Sequence, residues 1–189
     1  MVDKYEFGLI EKEEAEGIYA ILHRLKYIFP YMNIVEIGLW DGLTAYAICK
    51  ILDEIQYKYT FWGIDNRRYK IPEGLKGKIT SIIMDANNSN IFKFLPTEFH
   101  LVIVDACHCK KCAINQFNLY APRIARGGVI AFHDTAQESQ GDIVSVGCEN
   151  ATIEVLEALE ELKLGDKGFI MIREELPIKR HGIRFYQKI

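Results

Sequence analysis

The sequence has no apolar run that approaches the roughly 20 residues a membrane-spanning helix needs. Its amino terminus, MVDKYEFGLIEKEEAEG, is acidic and lacks the apolar core of a signal peptide. These two absences predict a protein with no membrane contact and a cytoplasmic location.

Long basic runs are also absent, and the formal net charge is −3. The densest cationic clusters are NRRYK (66–70) and KRHGIR (179–184), and both are short enough to be solvated surface. Proteins that bind nucleic acid usually concentrate positive charge, so no nucleic-acid partner is predicted.

Cysteine and proline are scarce, at five residues each, and there are no low-complexity segments, proline-rich linkers or obvious repeats. An odd number of cysteines in a chain of this size favours free thiols over a disulfide framework. The chain has 189 residues, 49% of them hydrophobic, which is enough for a sizeable core. We therefore predict one domain, 1–189, in which residues 1–30 form an N-terminal helical extension.

Short apolar runs and helix-capable segments alternate along the chain. Amphipathic spacing predicts helices over 13–29, 43–56, 110–125 and about 150–163. The apolar runs predict strands at 34–37, 60–64, 79–83, 101–104, 129–132, 168–172 and 183–186. Strands that alternate with helices predict an α/β fold, here a three-layer α/β/α sandwich around a mostly parallel seven-stranded sheet. The last two strands are joined by a polar loop without a helix, so the final strand is expected to be antiparallel.

Acidic residues lie in or directly after each of the first five predicted strands, and the fifth also ends in a histidine. They are Glu36, Asp65, Asp85, Asp105 and Asp134, with His133 beside the last. A buried carboxylate is costly unless something pairs with it. Parallel strands end at the same edge of the sheet, where ligands of such folds bind. The pattern predicts a cationic or hydroxyl-rich ligand at this edge.

The turn after the first strand contains two glycines, Gly38 and Gly42, before a helix that begins near Leu43. Gly38 permits a tight turn off the strand, and Gly42 is expected to let the backbone approach a ligand closely, where a Cβ would clash. A dinucleotide fingerprint, G-x-G-x-x-G, would need further glycines at the positions of Trp40 and Leu43. The spacing E-x-G-x-x-x-G therefore favours a ligand without a diphosphate.

These segments resemble the class I S-adenosylmethionine-dependent methyltransferases over residues 33 to about 172. VEIGLWDGLTA is similar to the family's first motif, GID to its second, and MDA at 84–86 to its adenine-side segment. VDACH, followed by LYAPRIARGGVIAFHDT, resembles the small O-methyltransferase-like subgroup. Cys107 stands where the subgroup usually has a second acid, and ARGG replaces its usual KPGG.

The resemblance implies a Rossmann-like methyltransferase fold, the cofactor S-adenosyl-L-methionine, and transfer of a methyl group to the hydroxyl of a small-molecule substrate. It assigns to cofactor binding Glu36, Gly38, Leu39, Gly42, Asp65, Asp85, Ala86 and Asp105. Asp65 would hold the ribose hydroxyls, and Asp85 with Ala86 would flank the adenine. Two alternatives stay open at this point: Asp65 as a helix cap and Asp85 as the first residue of an Asx turn.

Asp105 and Asp134 are expected on neighbouring strands, where they could hold a divalent cation such as Mg²⁺. They could equally hold the substrate or the ammonium group of the cofactor. His108 and His133 are the two histidines that the strand pattern places near this edge. Either is a candidate base for a hydroxyl nucleophile, because imidazole titrates near neutral pH; the alternative is a structural histidine in a loop.

Five further hypotheses follow. The string CHCKKC (107–112) has a C-x-x-C spacing that could bind zinc, although one local cluster at a helix start would be crowded. The polar segment 137–150 could cover the substrate, and the first helix could pack against a second copy in a homodimer.

The alternative functions are a nucleotide- or dinucleotide-dependent α/β enzyme and a non-catalytic cofactor-binding protein. The sequence does not identify the methyl acceptor.

Overall fold

The computed structural model describes residues 12–68, 72–144, 151–176 and 181–189. Within these ranges the chain forms the following elements: α1 (Lys12–Lys26), β1 (Met32–Ile37), α2 (Leu43–Glu54), β2 (Tyr59–Asp65), β3 (Ile79–Ile83), β4 (Phe99–Val104), α3 (Lys110–Tyr120), β5 (Ile124–His133), β6 (Ile143–Val144), β7 (Ala151–Thr152), α4 (Val155–Leu162), β8 (Phe169–Glu175) and β9 (Ile183–Lys188). Helices separate β1 from β2 and β4 from β5, as predicted, whereas β2, β3 and β4 follow one another without an α-helix between them.

Seven strands form one sheet in the order β3-β2-β1-β4-β5-β9-β8. The neighbouring strands from β3 to β5 are all parallel, whereas β9 is antiparallel to both β5 and β8. The predicted sheet, mostly parallel with an antiparallel last strand, is therefore confirmed. β6 and β7 form a separate two-stranded ribbon that the sequence pattern did not predict.

The central strands are covered on both faces of the sheet. Every residue of β1 and β4 is buried. Because side chains alternate along a strand, Val35 and Ile37 pack in one apolar cluster with α3 and α4. Ile34 packs in the other with α1 and α2. The result is the predicted sandwich of three layers.

Several predicted boundaries are wrong. The helix expected over 110–125 ends at Tyr120, and β5 begins at Ile124 rather than at 129. Pro122 accounts for the early end, because proline removes an N–H from a helix interior and clashes with the preceding turn. The helix expected from about 150 begins at Val155, and residue 150 itself lies outside the described residues.

The strand order reverses between β1 and β4, which lie side by side in the middle of the sheet. Chain connections leave this point in opposite directions, so a crevice opens beyond the carboxyl ends of the two strands. Among the described residues, no helix is long and apolar enough to cross a membrane.

Candidate active site

A cavity of about 730 Å³ lies at this crevice. Ten of the predicted site residues line it: Glu36, Gly38, Leu39, Asp65, Asp85, Ala86, Asp105, His108, His133 and Asp134. Its volume falls within the roughly 300–1,000 Å³ typical of small-molecule sites. The tertiary structure thus brings together residues that are up to about a hundred positions apart in the chain. Gly42 is not among the residues that line it.

The glycines of the first turn have structural reasons of their own. Gly38 has φ +93°, and a Cβ there would lie 1.9 Å from the carbonyl oxygen of Asp105. Gly42 adopts the left-handed conformation, with φ 75°, and its N–H donates to the Leu39 carbonyl at 2.7 Å. Gly42 therefore closes the turn that starts α2, and it does not make the close approach to a ligand that the sequence predicted. The close approach in this turn is made by Gly38, whose backbone lies against the backbone of Asp105.

Asp65 and Asp85 each combine a turn contact with a place on the cavity wall. The two carboxylate oxygens of Asp65 accept the backbone N–H groups of Trp40 at 3.0 Å and Arg67 at 3.1 Å. Asp85 Oδ1 accepts the backbone N–H of Asn87 at 2.9 Å, which is the Asx turn left open above. A carboxylate has about four acceptor sites. Both side chains therefore keep capacity for ligand hydroxyl or amino groups.

Glu36, the last residue but one of β1, is almost fully buried, at 1% exposure. Its Oε2 atom has no hydrogen-bond partner. Burial raises the pKa of Glu36 well above its usual value, and the nearby Asp105 carboxylate raises it further. Because buried polar groups are normally paired, this oxygen at the cavity wall indicates a position for a ligand donor.

Replacing Glu36 by glutamine is expected to stabilise the ligand-free protein at pH 8 and to leave it nearly unchanged at about pH 4. Because the pKa of Glu36 is raised, the folded chain keeps a proton that the unfolded chain releases above about pH 4. The free energy of unfolding therefore falls as pH rises towards the folded pKa, by about 1.4 kcal/mol for each unit between the two pKa values. Glutamine does not titrate, so it abolishes this loss.

Urea unfolding at several pH values measures the effect. Glu160→Gln, at an exposed position of α4, is the matched control and should follow the wild-type pH dependence. A Glu36→Gln variant that is destabilised equally at every pH would show that the carboxylate is satisfied within the fold.

A histidine–aspartate cluster, formed by Asp105, His108, His133 and Asp134, occupies the ends of β4 and β5. His108 Nε2 lies 3.2 Å from Asp105 Oδ1, and its Nδ1 lies 3.0 Å from Asp134 Oδ2. His133 Nδ1 lies 3.0 Å from Asp105 Oδ1 and 3.6 Å from Asp134 Oδ1. Each histidine therefore contacts both acids, as the strand order predicts for residues at neighbouring strand ends.

Two residues beside this cluster were missed by the sequence reasoning. Glu14 of α1 is fully buried; its Oε1 lies 3.1 Å from His133 Nε2 and accepts the backbone N–H of Gly182 at 2.8 Å. His181 Nδ1 lies 2.7 Å from Asp134 Oδ1. The expectation that only His108 and His133 lie near this edge is wrong, because antiparallel β9 brings its amino end to the carboxyl ends of the other strands.

The electrostatics of the cluster follow from these contacts. Burial alone would raise the pKa of Asp105, but the adjacent His133 and His108 hold it below its usual value. Burial alone would lower the pKa of His133, but Asp105 and Glu14 raise it well above its usual value. Perturbed pKa values from mixed charges in a cleft are typical of functional sites.

The sequence pattern of the methyltransferase domain matches residues 35–135, which is more than half of the chain. The chain belongs to the methyltransferase-domain family. The prediction of a methyltransferase enzyme is thereby confirmed. A comparison with curated proteins finds no match to the sequence.

Solved structures share the fold of this methyltransferase. A putative O-methyltransferase from Klebsiella pneumoniae superposes with a TM-score of 0.70 at 12% identity, over 96% of this chain and 82% of that one. An O-methyltransferase family protein from Burkholderia thailandensis gives a TM-score of 0.65 at 11% identity, over 93% of this chain and 55% of that one. The methyltransferase therefore spans about half the length of the Burkholderia protein.

A third similar structure is the methyltransferase MycE of the mycinamycin biosynthetic pathway, in complex with Mg and SAH. It gives a TM-score of 0.57 at 16% identity, over 93% of this chain and 54% of that one. At these identities the three similarities establish the Rossmann-like methyltransferase fold of the chain.

The histidine–aspartate cluster of the methyltransferase has the donor set of a metal site. One ligand atom from each of its four residues lies within 4.8 Å of all the others. His108 Nδ1 and His133 Nδ1 are buried. Each lies near a carboxylate oxygen, but the geometry of the contact is not that of a hydrogen bond, so neither nitrogen has a hydrogen-bond partner. Two unsatisfied ring nitrogens that face two carboxylates fit a divalent cation, with the histidines as additional ligands to the predicted Asp105 and Asp134.

Proposed function

We propose that this methyltransferase uses S-adenosyl-L-methionine and transfers the methyl group to a hydroxyl oxygen of a small molecule. One observation carries the proposal: the acids in or directly after five strands converge on one cavity at the point where the strand order reverses. Such a rim suits a ligand with ribose hydroxyls at one end and an ammonium group at the other. The absence of long basic runs argues against a polyanionic acceptor.

The cofactor would lie along the rim of the cavity. Asp65, at the end of β2, accepts the ribose hydroxyls with the oxygen lone pairs that its turn contacts leave available. Asp85 and Ala86 flank the adenine. Glu36, whose Oε2 lacks a partner, faces the methionine end beside the turn at Gly38. When bound, the cofactor supplies an electrophilic methyl group on a sulfonium.

The histidine–aspartate cluster would bind and activate the acceptor. His133 is held between Asp105 and Glu14, which fixes its ring and favours its charged form. A ring held in its charged form cannot accept a further proton, so His133 would donate a hydrogen bond to the substrate, and His108, held by Asp105 and Asp134, is the predicted candidate that would accept the hydroxyl proton. Positioning of the hydroxyl accounts for most of the expected rate gain.

A cation in the cluster would make the bound hydroxyl more acidic. The Mg present with SAH in the MycE structure supports this part of the proposal. Imidazole nitrogens suit Fe²⁺ or Zn²⁺ better than Mg²⁺. With two histidines and two aspartates as ligands, a preference for such ions over Mg²⁺ is expected.

The Asp65→Asn variant tests the proposed cofactor site. Wild-type protein is expected to bind S-adenosylmethionine and S-adenosylhomocysteine in isothermal titration calorimetry. The variant is expected to bind them about 10- to 100-fold more weakly, because hydrogen bonds to a charged group contribute about 1.5–3 kcal/mol and about 1.4 kcal/mol corresponds to tenfold. Asparagine keeps one oxygen acceptor and so limits damage to the turn.

Asp53→Asn is the control for this experiment, because Asp53 pairs with Lys78 on the surface at 2.6 Å. Its affinity for the cofactor should equal that of the wild type. NAD and ATP are titrated in parallel. Binding of either in place of S-adenosylmethionine would favour a nucleotide- or dinucleotide-dependent enzyme, and cofactor binding without turnover of any hydroxyl substrate would favour a binding protein.

A further inference from the structure

Three cysteines form a sulfur cluster beside the cavity, at the start of α3. Cys107 Sγ and Cys109 Sγ lie 3.2 Å apart. The Sγ atoms of Cys107, Cys109 and Cys112 all lie within 4.8 Å of one another. Cys107 is buried, and the other two are half-buried. The proposed methyl transfer makes no use of these sulfurs.

The geometry of this sulfur cluster is that of a thiolate metal site. Four-coordinate zinc has Zn–S distances of about 2.3 Å, which separate tetrahedral ligand sulfurs by about 3.8 Å. The separation of Cys107 Sγ and Cys109 Sγ, 3.2 Å, is shorter than this value, and no pair of the three sulfurs is more than 4.8 Å apart, so side-chain rotations can bring all three onto one ion. Cys109 and Cys112 are three residues apart at the first turn of α3 and so share one helix face.

The oxidation state decides whether the site can form. Cys109 and Cys112 are not part of a disulfide, whereas Cys107 is disulfide-bonded in the structure. A sulfur cannot be part of a disulfide and bind a metal as a thiolate at the same time. The fifth cysteine, Cys148, lies outside the described residues.

We propose that, in the reduced chain, Cys107, Cys109 and Cys112 bind one thiophilic divalent ion, of which zinc is the best chemical match. Each thiol releases its proton as its sulfur binds, and the three thiolates leave one coordination position for a fourth ligand. This site is separate from the histidine–aspartate cluster, whose ligands are nitrogen and oxygen.

The place of the sulfur cluster gives the ion a structural role. Cys107 and Cys112 line the cavity, and Asn87 Nδ2 lies 3.8 Å from Cys112 Sγ. The segment that carries Asp85 and Ala86 is therefore in contact with the cluster. A bound ion would tie the loop after β4 to the start of α3 and hold this wall of the cavity in place.

Metal analysis of the full chain, reduced with a phosphine and loaded with Zn²⁺ and then desalted, tests the proposal. We expect about one cysteine-bound zinc per chain, whose X-ray absorption shows at least three sulfur neighbours. Loading with Co²⁺ instead should give a thiolate-to-cobalt charge-transfer band in the unmutated protein, so the test does not depend on whether a variant folds.

Variants then assign the ligands. Cys109→Ser and Cys112→Ser should each lose the sulfur-bound metal, whereas Cys49→Ala and Asp134→Asn should keep it. A reduced wild-type chain without sulfur-bound metal, or a Cys109→Ser/Cys112→Ser double variant that retains it, would overturn the proposal. Cofactor titration of the same samples keeps the two questions apart, because sulfur-bound zinc without cofactor binding contradicts the proposed function alone.

Discussion

Replacing Gly38 by alanine is expected to lower the free energy of unfolding by about 3 kcal/mol or more, which is at the upper end for a single substitution. Two costs combine at this position. The left-handed φ of +93° disfavours any residue with a Cβ by about 1–2 kcal/mol. The new methyl group would also overlap the Asp105 carbonyl oxygen, at 1.9 Å, so the end of β1 or the end of β4 must move.

Gly77→Ala is the matched control for Gly38→Ala. Gly77 has a similar φ of +75°, but a Cβ there would meet no atom within 4 Å. Its expected cost is therefore about 1–2 kcal/mol, from backbone strain alone. Urea unfolding of both variants separates the steric term from the conformational one, and equal losses would show that the β1 and β4 ends can separate freely.

Replacing Asp134 by asparagine is expected to reduce methyl transfer by about 100-fold or more, with a much smaller change in cofactor affinity. Asp134 contacts His108 at 3.0 Å and His181 at 2.7 Å, and it lies 3.6 Å from His133. Its loss removes a charge that orients these rings, and positioned bases contribute about 10²- to 10⁴-fold to catalysis. Asparagine is chosen because Asp134 has φ +55°, a conformation that asparagine tolerates.

Asp166→Asn, at an exposed position after α4, is the control and should leave turnover unchanged. Turnover is measured as the conversion of S-adenosylmethionine to S-adenosylhomocysteine with a hydroxyl substrate.

A chelator series on the wild type separates the two roles of the cluster. Loss of activity that Mn²⁺ restores indicates a metal centre, whereas full activity in excess chelator assigns the cluster to proton transfer. An Asp134→Asn variant with wild-type turnover would contradict both roles.

The architecture of the sheet could be predicted because its signals are local. Runs such as Ile34–Ile37 and Leu101–Val104 are apolar without alternation, and a strand with that pattern must be covered on both faces. The antiparallel last strand followed from the polar loop before Ile183. The predicted ends of the helix and the strand on either side of Pro122 were less accurate. The apolar residues there fit the helical spacing, although the strand β5 already begins at Ile124.

The sequence by itself determined the acidic rim of the cavity. Parallel strands connected by helices must all end at one edge, so residues that follow strands in the chain, such as Asp65 and Asp105, must meet in space. For Asp65 and Asp85, only the structure shows that a turn contact and a place on the cavity wall are combined in each case.

Only the tertiary structure decided which distant residues complete the site. Glu14 reaches His133 because α1 packs beside the amino end of β9, and His181 reaches Asp134 because β9 runs antiparallel. It also decided that Gly38 is required by the backbone of Asp105, and that three cysteines converge beside the cavity. These contacts depend on packing between elements far apart in the chain, and residue type and spacing carry no signal for such distances.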